Sequence, residues 1–148
     1  MTRYGFREAL GAFFHADTNT LRRWLPAGLS PLEAQPGYAL IAVTAFDFTE
    51  SEVGAYGELV ISVLVPPFAT RGSPLPHAAT FPVVLATTTA SSRAHASERW
   101  LLPEHERCLD IEFRRDGQQR SVHVHDRGEQ VLTLSVERSR GVPSDRLY

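Results

Sequence analysis

The chain has 148 residues, 43% hydrophobic and 22% charged, with fifteen basic against seventeen acidic side chains and a formal net charge of −2. That composition fits one soluble domain with its own core and leaves no basic footprint for nucleic acid or an anionic membrane. No apolar run approaches the roughly 18 residues of a membrane span, and the opening MTRYGFREAL lacks the layout of a secretory signal. A cytoplasmic location with no nucleic-acid or membrane partner is the expectation. The single cysteine, Cys108, excludes an internal disulfide and an all-cysteine metal site. All fifteen basic residues are arginine, so no lysine of this chain can form a Schiff base.

In chain order, residues 5–15 have the β-branched and aromatic character of an opening strand, with Ala and Leu leaving a helix open as the alternative. Asp17 and Thr18 offer an N-cap before the apolar set Leu21, Trp24 and Leu25, and Pro26 with Gly28 stops this short helix. Pro31, Pro36 and Gly37 mark a loop, and residues 38–48 read as a strand. The stretch 53–67, VGAYGELVISVLVPP, organises the rest. Val60, Ile61, Val63, Leu64 and Val65 read as a strand buried on both faces, with Glu58 at its mouth on the face of Val60, Ser62 and Leu64. A carboxylate there caps a turn in solvent, or else it is hydrogen-bonded, charge-paired or protonated with a raised pKa.

Residues 66–76 are a Pro/Gly/Ser-rich loop and 79–88 a further strand. Residues 90–102 favour a helix, with Arg93, Ser97 and Trp100 near one face, that Pro103 ends. A meander closes the chain: 107–115 with Leu109, Ile111 and Phe113 inward, a turn at Asp116-Gly117, then 121–125, a turn at 126–128, and 130–138. Residues 1–138 make one domain and 139–148 a polar tail. Six or seven strands and two short helices predict a mainly β chain, a curled or closed antiparallel sheet.

Three polar groups invite chemistry. His123 and His125 lie two apart on a strand, as metal ligands do, but no third ligand is evident, and solvent-facing histidines opposite Val122 and Val124 explain them without a metal. His95, His105 and Cys108 lack the turn that would expose a nucleophile, so Cys108 reads as a small buried strand residue. Arg93 and Arg99 with Glu98 and Glu104 form either a solvated, weakly paired helix face or a polar set facing a pocket, where arginine clamps a carboxylate.

The segments LRRWLPAGLSPLE, VGAYGELVISV, SERWLLPEH and the closing meander resemble the acetoacetate decarboxylase-like superfamily over residues 5–138. The resemblance implies an antiparallel barrel with a central cavity, assembly as a homo-dimer or larger, and an active-site role for Glu58. By the same resemblance, the family's Schiff-base lysine falls on Glu104, where a carboxylate repels the charge that an imine would stabilise. A second family glutamate falls by spacing on Val43, which cannot act as acid or base. The expectation is therefore a decarboxylase-like barrel with altered chemistry. Glu58 serves as general acid/base, with Glu104 its partner, on a small carbonyl or polyketide-like substrate in an enolisation, dehydration or cyclisation. Arg93 or Arg71 anchors an anionic group, Tyr56 donates a hydrogen bond, and Glu98 completes the set, with no cofactor or metal. The alternative is a non-catalytic barrel that binds a small carbonyl or carboxylate ligand.

Overall fold

A computed structural model describes residues 4–67, 78–103 and 105–137. The chain runs β1 (Gly5–Asp17), α1 (Thr18–Arg22), β2 (Glu33–Gln35), β3 (Tyr38–Glu50), β4 (Tyr56–Val65), β5 (Ala79–Thr87), α2 (Ala90–Trp100), β6 (Asp110–Asp116), β7 (Gln119–Asp126) and β8 (Glu129–Glu137). The opening segment is thus strand rather than helix. Beyond the strands expected there is the three-residue β2, formed where the loop before Gly37 turns back to pair Glu33 with Ala39. Gly37 makes this turn at φ +80°, a conformation open to glycine.

All strand pairings described are antiparallel, in two sheets: β1-β3-β4-β5 with β2 alongside β3, and β6-β7-β8. Mainly β with two helices is as expected; closure of the sheets into one barrel is not among the described pairings. The two sheets pack face to face. Leu10, Val43, Ala45, Leu59 and Ala86 of the larger sheet meet Val122, Val124 and Leu134 of the smaller, with Leu109 between them. Strand alternation explains the choice, since Val122 and Val124 turn inward while His123 between them turns outward. Each fully buried aliphatic side chain stabilises by about 1.5–3 kcal/mol relative to an exposed one. At the rim, Arg115 (2.9 Å) and Arg120 (3.7 Å) of the smaller sheet reach the Glu8 carboxylate of β1.

The same face of the larger sheet continues beyond this core to Ala39, Val63 and Val65, and there α1 covers it with Leu21 and the following Leu25. Asp17 caps α1 as expected, its carboxylate accepting from the Thr20 amide at 2.8 Å. On β4 Leu59, Val63 and Val65 are buried on one face with Ile61 half-buried, while opposite them Tyr56 and Ser62 are buried and Glu58, Val60 and Leu64 half-buried, so the reading of burial on both faces holds in graded form. Val131 points outward, 56% exposed, while Leu134 of the same strand is in the core. Among the described residues no helix is long and apolar enough to cross a membrane. The expected tail (139–148) and most of the expected loop at 66–76 lie outside the described residues.

Candidate active site

The face of the larger sheet opposite the inter-sheet core carries an aromatic row. Phe48 on β3 pairs across with Tyr56 on β4, ring centroids 4.9 Å apart, and Phe46 pairs with Glu58. Phe46 stacks on Phe48 at 5.3 Å, and Tyr4 lies 5.7 Å from Phe48. Over this end of the sheet lies α2. Its Thr89 N-cap accepts from the Ser92 amide at 3.1 Å, and its last turn closes at Leu101, φ 51°. Between helix and sheet is a cavity of about 330 Å³, lined by Tyr4, Phe48, Tyr56, Glu58, Ser92, His95, Ala96, Trp100 and Leu102.

Close backbone approach brings the helix there. Gly57 donates its amide to Thr88 Oγ1 at 2.9 Å and accepts from the Thr88 amide at 3.0 Å, tying the start of α2 to the Tyr56–Glu58 segment. A Cβ at position 57 would stand 3.0 Å from Thr88 Cγ2 and 3.3 Å from Ile111 Cβ. After the helix, His105 donates its amide to the Leu85 carbonyl and Leu85 donates to Pro103, returning the chain along β5.

Glu58 is the carboxyl among the described residues lining this cavity. Tyr56 donates to it across 3.4 Å, a long bond, and burial pushes its pKa above the usual carboxylate value while the tyrosine bond pulls weakly the other way. Glu58 is therefore drawn into an apolar wall rather than capping a turn in solvent. His95 stands across the cavity on α2. Trp100 donates its indole N–H to His95 Nε2 at 3.4 Å, and Tyr4 Oη lies 3.1 Å from the same nitrogen. Because an indole nitrogen only donates, Nε2 is the acceptor and the ring proton sits on Nδ1 in this arrangement.

Of the residues expected at the site, Tyr56 and Glu58 line the cavity together. Arg93 instead donates from Nε to the His105 carbonyl at 2.8 Å, holding the loop after α2, and Glu98 is exposed on the helix; neither lines the cavity. Glu104 and Arg71 lie outside the described residues. Val43 is in the inter-sheet core, on the sheet face away from Glu58. Cys108 is exposed and precedes β6, which corrects its reading as a buried strand residue: Leu109 takes the inward position instead.

His123 is engaged by Ser121 at 3.1 Å, Gln130 at 3.3 Å and Thr133 at 3.4 Å. No group of three metal-ligating side chains occurs among the described residues. The lining residues not anticipated are Tyr4, Phe48, Ser92, His95, Ala96, Trp100 and Leu102. A helix beginning at Ala90 does put His95 within reach of Trp100, but no sequence pattern says that this face meets the Tyr56–Glu58 strand.

No family model matches the chain, and no curated protein matches it. Solved structures do. An acetoacetate decarboxylase from Legionella pneumophila superposes with a TM-score of 0.78 at 14% identity, over 97% of this chain and 52% of that one. Another acetoacetate decarboxylase structure gives 0.75 at 12% identity, over 94% and 52%. The enduracididine biosynthesis enzyme MppR, complexed with the condensation product of pyruvate and imidazole 4-carboxaldehyde, gives 0.64 at 18% identity, over 93% and 56%. The chain spans about half the length of these proteins, and it has the acetoacetate decarboxylase-like fold.

Proposed function

We propose that the chain is an acid/base enzyme of the lyase or isomerase type that moves a proton next to the carbonyl of a small substrate, with Glu58 as the general acid/base. The observation that carries this reading is a carboxyl with a raised pKa in the wall of an apolar cavity, one tyrosine hydroxyl beside it. Such a group holds a proton nearer neutral pH than an ordinary carboxylate and so is better matched to general acid/base work. Tyr56 supplies a hydroxyl for a substrate oxygen. The likeness to MppR, complexed with pyruvate in one structure, supports a small carbonyl ligand. The lysine-free sequence closes the lysine imine route to this chain.

Deuterium exchange at the carbons flanking the ketone of methyl 4-oxopentanoate, followed by NMR, tests the role. Wild type is expected to exceed Glu58→Gln by about 10²–10⁴-fold, the usual contribution of a positioned acid/base. Equal rates in the two proteins would remove Glu58 from the chemistry.

A second reading, a non-catalytic binder of the same ligands, is favoured by the burial of Val43 in the core where the resemblance places a second acid. It predicts saturable binding with no exchange. The homo-oligomer that the resemblance implies belongs to this proposal too: light scattering on the eluting protein should give a dimer or larger, and a monomer at assay concentration would end that expectation.

A further inference from the structure

Among the described residues the cavity wall is mainly apolar, with aromatic rings contributed by Tyr4, Phe48, Tyr56 and Trp100. Glu58 adds a carboxyl. No arginine is among the described residues lining the cavity: of the two arginines of α2, Arg93 donates to the His105 carbonyl at 2.8 Å, and Arg99 pairs with the Glu52 carboxylate while its guanidinium lies 5.5 Å from the Trp100 ring centroid. The lining phenols are already paired, Tyr56 donating to Glu58 and Tyr4 Oη lying 3.1 Å from the accepting His95 Nε2, so a bound oxygen would take one of these protons by exchange.

We propose that this cavity takes small carbonyl compounds carrying no carboxylate, an inference that rests on the acid/base reading of Glu58 at the same site. A bound carboxylate would set a second negative charge near Glu58 within an apolar wall, with no arginine among the described lining residues to offset it. A neutral ketone, ester or enone meets neither cost. Its oxygen accepts from a tyrosine hydroxyl, and its carbon skeleton lies against the aromatic rings. The expected anchoring of an anionic substrate by Arg93 gives way to selection against the anion.

Calorimetric titration of 4-oxopentanoate and of its methyl ester near neutral pH tests this, on wild type, Glu58→Gln and Trp100→Ala. The ester should bind wild type at least about tenfold more tightly than the acid anion, a modest requirement for two charges at close range outside bulk water. Glu58→Gln should narrow that ratio. Trp100→Ala, at a half-exposed position where folding is spared, should weaken the ester severalfold. Equal or tighter binding of the anion, an unchanged ratio in Glu58→Gln, an unchanged ester affinity in Trp100→Ala, or no saturable binding of either compound would each overturn the proposal. The exchange assay keeps the two readings apart. Ester-selective binding without Glu58-dependent exchange retires the acid/base role and leaves the selection standing. Glu58-dependent exchange of both compounds at equal affinity does the reverse.

Discussion

Glu58 shows how far a single side chain is set by its surroundings. In the sequence it is one carboxylate two residues after a tyrosine; in the fold it faces Phe46 across the ladder and the last turns of α2 across a cavity. Desolvation raises its pKa above 4.5, the value expected when the chain is unfolded. Between those two values the folded protein keeps a proton that the unfolded chain has released, so stability falls as pH rises through this window. Glu58→Gln has no such proton to lose. Its melting temperature should exceed that of wild type increasingly as pH climbs, with the gap smallest below about pH 4.5. A constant gap across a thermal-melt pH series would show that position 58 is not desolvated. Among the described residues, Tyr56, His95 and Tyr4 are the other titratable groups lining the cavity, and Glu58→Gln leaves all three in place.

At the scale of elements, α2 decides whether there is a cavity at all. It is a short helix with little apolar surface of its own, buried at Ser92 and Ala96, and it is held by its ends. Thr89 caps the first turn through Ser92, while Arg93 and the His105 amide fasten the chain that follows it. Thr89→Ala should cost about 1 kcal/mol, the usual worth of an N-cap. Because the cap sits beside the Gly57–Thr88 bonds, the same variant should also weaken ester binding in the cavity. Denaturant melts and the calorimetric titration read the two effects separately. A loss of stability with unchanged affinity would mean that the helix frays without moving His95 and Trp100.

The whole molecule is two sheets packed over one shared core, with the candidate site placed outside that core. Leu134, 5% exposed, packs in it among Val122, Val124 and Leu59. Leu134→Ala should cost about 2–5 kcal/mol by the measure of core truncations, readable from chemical denaturation. A cost below 1 kcal/mol would mean that the sheets close over the lost volume. Glu58 is on the other face of the larger sheet, so the ester should still bind to the fraction that remains folded.

Much of this architecture was legible from local pattern. The opening strand, the Asp17-capped helix, the central strand, the second helix and the three-strand meander all follow from short-range rules: alternation, capping oxygens, and glycine where φ turns positive. The first meander turn falls on Gly117-Gln118, one residue beyond the Asp116-Gly117 expected, because Asp116 still pairs with Gln119. The absence of lysine likewise limits the chemistry with no structure needed. What the pattern could not say is which surfaces meet. Alternation tells that Val43 and Glu58 each choose a face, but only the strand register puts Val43 in the inter-sheet core and Glu58 opposite it. The role of Arg93 turned on a backbone carbonyl twelve residues away, and Tyr4 and His95 meet across 91 residues. Side-chain chemistry and local spacing belong to the sequence; the cavity and the desolvation of Glu58 arise from long-range packing, which brings together residues that no local rule connects.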